Sequence, residues 1–196
     1  MKKLRIVGLV LSCFVVLTLQ AQEKYVIVPD AGHMVLSGTS NTSDWMLKSS
    51  QLEGDAQLVV KENSLTNISR VIINVDAETI ANENNKRMSK KAHKVLRADE
   101  NPTVTFFAYG FSKIGNGPKK IKGNISIAGR NADILFEFTS RIEDGVVWII
   151  AESDQAKFSD FGLEPPEDFG GAIKCHDEMK IQVQLPFMLP DEAQSN

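Results

Sequence analysis

This sequence of 196 residues has few cysteines and histidines, and neither sign of charge is in large excess. It has two cysteines, three histidines and a net charge of -3. Two cysteines are too few for a disulfide-dense scaffold or a four-cysteine zinc site. The slightly acidic balance lacks the basic excess with which proteins bind nucleic acids. Because 42% of the residues are hydrophobic, the chain can bury a core, and its length predicts one folded domain.

Sequence signatures of catalysis and metal binding are also missing. The chain has neither a G-x-S-x-G motif nor a phosphate-binding glycine loop. Cys175 and His176 are adjacent, but neighbouring side chains on a strand point to opposite faces and cannot form a catalytic dyad. The histidines lack ligand spacing, and the acids Glu164, Glu167 and Asp168 lack the spacing of a calcium loop and are expected to be solvated. We therefore predict a protein that is not an enzyme and needs no metal or cofactor.

The longest hydrophobic run lies at the N-terminus and has the features of a secretory signal peptide. Three cations occur within the first five residues, an apolar run follows over residues 6–19, and the small residue Ala21 precedes the expected cleavage site. The run is shorter than the roughly 20 residues that span a bilayer. We predict a signal peptide at residues 1–21, one domain at residues 22–196 and a periplasmic location. Lipidation at Cys13 and an uncleaved anchor are the alternatives.

Removal of this leader would change the character of the chain. It would leave 175 of the 196 residues and change the net charge from -3 to -6, because three cations and no acid are lost. It would also leave Cys175 as the only cysteine, which excludes an intramolecular disulfide. A domain of this size buries roughly 70% of the surface of its unfolded chain, so a hydrophobic core can hold the fold.

Apolar and polar residues alternate along much of the remaining chain, which is the pattern of half-buried strands. The clearest runs are residues 71–75, 104–108, 121–127, 134–138 and 179–187, and further strands are predicted at 24–28, 35–39, 52–60 and 146–153. Asp144-Gly145 is a preferred two-residue hairpin turn, and turn clusters occur at residues 115–118 and 129–131. These features predict an all-β fold, an antiparallel barrel or sandwich of about eight strands.

Residues 85–97 break this alternation and have helical spacing instead. Met88, Ala92, Val95 and Leu96 fall on one face, and Asn101-Pro102 ends the segment. We therefore predict one amphipathic helix that crosses between two strands. We expect it to pack alongside the barrel on the outward apolar face of one strand, formed by Val146, Trp148 and Ile150.

The polar face of this predicted helix is strongly basic, with no acid between Lys86 and Arg97. Such a face has two interpretations: it is simply solvated, or it docks transiently on anionic lipid headgroups. The candidate residues for membrane contact are Lys86, Arg87, Lys90, Lys91 and Lys94.

Five short motifs follow one another over residues 38–181. They are residues 38–41 with Asp44-Trp45, the helix at 88–96 leading into 101–106, residues 123–129, residues 159–163, and residues 171–173 followed by 177–181. In this order they resemble the YceI-like family, which carries P-x-I-x-F, G-x-L-T-I-x-G and D-F-G-I motifs at the corresponding points. The chain departs from the family at Phe158, where an arginine is frequent.

The resemblance implies an extended antiparallel β-barrel similar to lipocalins, with one helix packed alongside, in an exported bacterial protein without an established catalytic centre. Some members of the family hold a polyisoprenoid or related lipid inside the barrel. Burying each CH₂ of such a chain gains about 0.8 kcal/mol. The predicted lining residues are Val71, Ile73, Phe106, Ala108, Ile125, Ile134, Phe136, Phe138, Ile149, Phe161, Ile181 and Val183.

Two other functions fit the same residues. The apolar side chains could pack on one another, and a barrel with a filled core would then serve as a structural or stress-related interaction protein. A hydrolase or isomerase acting on a lipid within the cavity is the third hypothesis. A continuous apolar cavity favours lipid binding over a filled core, and convergent polar groups inside it would favour the enzyme. Edge strands of such barrels often pair, so a homodimer is a further expectation.

Overall fold

The computed structural model describes residues 23–109 and 119–193 and consists mainly of strands. The longer helix is α1 (Lys86–Leu96), and α2 (Pro190–Ala193) is a single turn. The strands are β1 (Glu23–Ile27), β2 (His33–Ser40), β3 (Asp44–Ser49), β4 (Leu52–Lys61), β5 (Ser64–Asp76), β6 (Thr103–Tyr109), β7 (Lys119–Ile127), β8 (Arg130–Glu143), β9 (Val146–Lys157), β10 (Glu167–Asp168) and β11 (Ile173–Met188). The predicted leader and the turn cluster at 115–118 lie outside the described residues.

Eight of the described strands form a closed antiparallel ring. The order around the ring is β1-β4-β5-β6-β7-β8-β9-β11, and β1 pairs again with β11. Closure leaves the ring without a free edge, and strands of this number enclose an interior just wide enough for side chains or one slender ligand. The predicted all-β barrel of about eight strands with one long helix is confirmed.

Strands β2 and β3 lie outside the closed ring and pair with it through β11. Strands β1 and β2 run along the same edge of β11, with Ile27 opposite Phe187 and His33 opposite Gln184. On the other side, β4 pairs with β1 and β3 pairs with β2. The β2–β3 hairpin therefore extends one end of the barrel beyond the closed ring.

Tight turns join several neighbouring strands of the ring. The tips are Glu62-Asn63, Ala128-Gly129 and Asp144-Gly145, and all six residues have φ between 48° and 79°. Two successive positive φ values define the turn whose twist matches that of the flanking strands. The hairpin predicted at Asp144-Gly145 is confirmed, whereas the turn predicted at 129–131 begins one residue earlier, because Arg130 already belongs to β8.

Helix α1 lies across one end of the barrel. The side chain of Asn85 begins the helix by accepting a hydrogen bond from the Met88 amide at 3.0 Å, and Arg97 ends it in the left-handed conformation at φ 51°. The apolar face of α1 shares a cavity wall with Leu36 of β2 and Ile127 of β7. The helix thus covers the end of the barrel to which these two strands lead.

The prediction that the helix packs on the outward apolar face of β9 is wrong. Trp148 lies under the guanidinium of Arg141, 5.2 Å from the ring centroid, and Ile150 is 40% exposed. The apolar face of α1 instead lines a cavity together with Leu36, Leu47 and Met179 of β2, β3 and β11. Alternation reveals that both faces of β9 are apolar, but it does not reveal which element covers either face.

Candidate functional site

A narrow cavity, called the channel, lies in the interior of the barrel and is lined only by aliphatic and aromatic side chains. It is enclosed by nineteen residues from β2, β4 to β9 and β11, all of them Met, Leu, Ile, Val, Phe or Ala. The channel has a volume of about 70 Å³. Ligand pockets for drug-sized molecules span roughly 300–1,000 Å³, so the interior is narrow and nearly filled by its own side chains.

Nine of the twelve side chains predicted to line the interior lie on this channel. They are Val71, Ile73, Phe106, Ile125, Phe136, Phe138, Ile149, Ile181 and Val183. Their role in binding a lipid stays a prediction. The lining residues Met34, Leu36 and Ile68 were not predicted individually, although the alternation of Met34 with Leu36 carries the same signal.

The other three predicted lining residues are buried but do not reach the channel. Ala108 is buried opposite Val71 in the β5–β6 pair but does not line the channel. Ile134 is buried opposite Gly123 in the β7–β8 pair and does not line it either. Phe161 lies in the 3₁₀ turn Ser159–Phe161, which follows β9 and leaves the sheet, so strand alternation does not apply to it.

Phe106 occupies space that Gly123 leaves free. A Cβ atom on Gly123 would lie 2.0 Å from Cε2 of the Phe106 ring. The Phe106 ring also meets the Phe136 ring edge to face, with the centroids 5.4 Å apart. The absence of a side chain at Gly123 therefore allows two aromatic rings to pack inside the narrow barrel.

A second, larger cavity of about 360 Å³ lies between the channel and α1. Leu36 and Ile127 belong to the linings of both spaces, so the two are adjacent. The walls of this end cavity are mainly the apolar face of α1 together with Trp45, Phe158, Leu163 and Met179. Its volume falls within the range of ligand pockets.

Two side chains that line the end cavity, Trp45 and Cys175, carry a hydrogen-bond donor and a thiol. The indole Nε1 of Trp45 is buried and has no hydrogen-bond partner among the described residues, and the Trp45 ring packs against Phe158 with the centroids 5.9 Å apart. Cys175 is half-buried, and burial raises the pKa of its thiol. The thiol form therefore predominates at neutral pH, which argues against a reactive nucleophile.

The neighbours of Cys175 in the sequence are engaged with other residues. His176 Nδ1 is 2.9 Å from the Thr39 hydroxyl. Asp177 accepts hydrogen bonds from the amide and the hydroxyl of Ser159, and these bonds lower the pKa of its carboxyl. As expected for neighbours on a strand, the three side chains do not converge on one catalytic point.

The loop acid Asp168 is not solvated as predicted but pairs with α1. Its Oδ1 lies 2.5 Å from Arg87 Nη2 and 3.1 Å from Lys91 Nζ. The hydrogen bond from Lys91 is the main cause that lowers the pKa of the Asp168 carboxyl. Glu167 is paired as well, with Lys174 at 3.0 Å.

This pairing divides the five cations predicted to contact a membrane. Arg87 and Lys91 are engaged with Asp168, and Lys91 also donates to the Glu167 carbonyl at 2.5 Å. Lys86, Lys90 and Lys94 are exposed and form no ion pair within residues 23–109 and 119–193. These three remain the candidates for membrane contact.

The described residues contain no group of three or more histidine, cysteine or acidic side chains placed to hold a metal ion. Across the same residues, none of the helices has the length and apolar character needed to cross a bilayer.

Solved structures with the same fold come from several bacteria. Burkholderia cenocepacia BcnA is 14% identical, with a TM-score of 0.61, over 79% of this chain and 95% of that chain. A polyisoprenoid-binding domain from Saccharophagus degradans, implicated in plant cell wall breakdown, is 12% identical, with a TM-score of 0.62, over 85% and 98%. The Campylobacter jejuni YceI protein is 15% identical, with a TM-score of 0.53, over 69% and 80%. At these identities the likeness concerns the fold.

A comparison with curated protein sequences gives no significant match. The family comparison is decisive, because the model of the YceI-like domain matches residues 25–187. That match spans nearly the whole barrel, and it agrees with the order of motifs in the sequence. The chain therefore belongs to the YceI-like domain family.

Proposed function

We propose that this protein binds a long-chain lipid or isoprenoid and sequesters or carries it without chemical change. The observation that carries the proposal is the wholly apolar channel, which adjoins the larger end cavity at Leu36 and Ile127. An apolar chain that leaves water for such a lining gains about 0.8 kcal/mol for each buried CH₂. A polar end group would remain in the end cavity, where polar and charged side chains occur.

The comparisons support this proposal at the level of the family. The Saccharophagus degradans neighbour is described as a polyisoprenoid-binding domain, and both chains have the same fold. At an overall identity of 12%, the neighbour supports the class of ligand rather than a particular lipid.

The narrow interior favours a second candidate, a barrel with a filled core that acts as a structural or interaction protein. A channel of about 70 Å³ cannot hold a long chain unless its side chains move apart. Core side chains are closely packed and resist such movement. Binding therefore requires that Phe106 and its neighbours adopt other rotamers, which the second candidate does not require.

Export is part of the proposal. A positively charged start followed by the apolar run at 6–19 supports removal of residues 1–21 and release into the periplasm. A long-chain lipid is nearly insoluble in that aqueous compartment, so a carrier there would have a defined task. A homodimer stays a prediction from the sequence.

The test of the main proposal is chemical. The protein would be purified from its natural periplasm without detergent, extracted with organic solvent and analysed by mass spectrometry. We expect one lipid class at a near-stoichiometric ratio to protein. Recovery of no such lipid, together with no binding of added long-chain lipids in solution, would favour the filled-core candidate.

We also propose that α1 contacts a membrane surface during loading. The exposed cations Lys86, Lys90 and Lys94 carry this part, because Arg87 and Lys91 are already paired with Asp168. Lysines near an anionic surface each contribute about 1 kcal/mol of attraction. Charge reversal of the three lysines to glutamate should abolish binding to vesicles that contain phosphatidylglycerol. The matched control reverses Lys61, Lys119 and Arg130 on the strands, which likewise form no ion pair among the described residues, and equal loss in both variants would contradict a specific role for the helix.

A further inference from the structure

The end cavity is the most suitable of three surface cavities that share lining residues with the channel for entry of an apolar ligand. One of the other two touches the channel lining at Leu52, but its wall includes the acids Asp30, Glu53 and Asp76. The other touches it at Phe138, Ala151 and Val183, but its wall includes Glu137 and Glu152. The end cavity reaches the channel at Leu36 and Ile127 and is walled mainly by apolar side chains. Although Arg87, Lys91 and Asp168 also border the end cavity, an apolar chain that enters there covers mainly apolar surface, so less hydration of charged side chains is lost.

One wall of the end cavity is a short surface segment. Residues 166–169 contribute to this wall. The segment is joined to the barrel by the strand pairs Glu167 with Lys174 and Asp168 with Ile173, and by two further hydrogen bonds, in which the Cys175 amide donates to the Pro166 carbonyl and the Asn41 side chain donates to the Ala172 carbonyl. We call residues 164–172 the cover segment. Its largest side chain, Phe169, is 66% exposed, so burial of apolar surface does little to hold it down.

Charge contacts connect the cover segment to α1. Arg87 and Lys91 both bind Oδ1 of Asp168, and Lys91 also donates to the Glu167 carbonyl. The Arg87 guanidinium lies over the Phe169 ring, 4.6 Å from its centroid. Exposed ion pairs contribute little to stability, and segments with few buried contacts are the ones that open locally.

The backbone of the cover segment has a natural point of rotation. Phe169, Gly170 and Gly171 have φ values of 51°, 66° and 90° in succession. Phenylalanine is strained in this left-handed region, whereas two glycines next to it can change conformation at little cost. Release of the Asp168 contacts would therefore let the segment swing away from α1.

We propose that the end cavity is the entry site of the apolar ligand and that the cover segment is its lid, latched by Arg87 and Lys91 on Asp168. This inference rests on the proposed lipid-binding function. It adds the route of entry and assigns a role to two of the helix cations other than membrane contact.

Cys175 provides a direct reporter of the lid, because it lines the end cavity and is half-buried. With Cys13 changed to Ser, it is the only thiol in the chain. The rate of its modification by a maleimide then measures how often the cavity opens. We expect Lys91→Gln to raise this rate by about threefold, because an exposed ion pair of this kind changes the open population only by a small factor.

The matched control is Lys90→Gln, which removes the same charge from a neighbouring position without an ion pair among the described residues. It should leave the rate unchanged, and Lys91→Arg should restore it. Lys91 lowers the pKa of the Cys175 thiol, so its loss alone would slow the reaction. A faster reaction therefore reports opening. Equal rates for Lys90→Gln and Lys91→Gln, in variants that both fold by circular dichroism, would overturn the lid.

A second measurement separates this inference from the proposed function. The binding of cis-parinaric acid, a fluorescent long-chain fatty acid, is followed in stopped flow with the same variants. We expect Lys91→Gln to raise the association rate by about the same factor as the thiol rate. If the wild type binds the fatty acid while Cys175 accessibility and association rate do not change with the latch, the lid is wrong and the function stands. If no variant binds any long-chain lipid, both the proposed function and the proposed entry site are contradicted, whatever the thiol rates are.

Discussion

At the scale of single residues, Gly123 and Phe106 determine how the barrel interior is filled. The Phe106 ring occupies the place of the missing side chain at Gly123 and contacts Phe136. Both aromatic rings line the channel and help to keep its volume at about 70 Å³. Any substitution that adds atoms at Gly123 must therefore displace an aromatic ring.

Gly123→Ala should destabilise the protein by about 1–3 kcal/mol, the usual range for overpacking a core. The new Cβ would lie 2.0 Å from Cε2 of Phe106. Urea unfolding followed by circular dichroism measures the change. The double variant Gly123→Ala, Phe106→Leu should recover part of the loss, because the smaller leucine leaves room for the methyl group. Unchanged stability of the single variant would contradict the packing described here.

His33 links stability to pH. Burial lowers its pKa below 6.5, and the positive charge of Lys48 lowers it further. The folded protein thus binds this proton less readily than the unfolded chain, so stability should fall as the pH drops through about 6.5. His33→Gln removes the titrating group. Unfolding free energies measured from about pH 5 to pH 8 should vary less in this variant than in the wild type, and parallel profiles would show that His33 does not contribute.

At the scale of elements, α1 is held in place by its cap as well as by its apolar face. Asn85 Oδ1 accepts from the Met88 amide at 3.0 Å, which satisfies one of the free amides at the start of the helix. Isolated helices of this length are marginal in water. The helix therefore depends on the cap, on the cavity wall beneath it and on the pairing with Asp168.

Replacement of the cap tests this dependence. Asn85→Ala should lower stability by about 1 kcal/mol, whereas Asn85→Asp should stay close to the wild type because aspartate accepts the same hydrogen bond. Thermal unfolding of the three proteins compares them directly. Equal losses for both substitutions would mean that the amide group, and not capping, is what matters at this position.

Elements also differ in how well the sequence predicts them. Strand β3 was not predicted, because its inward residues are Trp45, Leu47 and Ser49, and the serine breaks the apolar alternation. Ser49 is buried nonetheless, since its hydroxyl pairs with that of Thr79 at 2.6 Å. The longer strands were predicted because their inward positions are consistently apolar, as in β8 with Ile134, Phe136 and Phe138.

At the scale of the whole molecule, the ring of strands follows from local patterns, but the site at its end does not. Alternation and turn residues give the strands, and the motif order gives the family. The end cavity is formed by contacts between distant residues, such as Arg87 with Asp168, which lie 81 positions apart. No local spacing reveals such a pair. The same limitation explains why the helix was predicted but placed against the wrong face.

The central claim is that a long apolar chain lies inside the barrel, and photo-crosslinking tests it most directly. A long-chain fatty acid that carries a diazirine on its hydrocarbon tail is bound to the protein and irradiated, and the labelled peptides are mapped by mass spectrometry. If the chain lies there, adducts form on channel residues such as Phe106, Phe136 and Ile181. Adducts confined to outward residues such as Tyr109 and Trp148, or no adduct at saturating lipid, would contradict the claim.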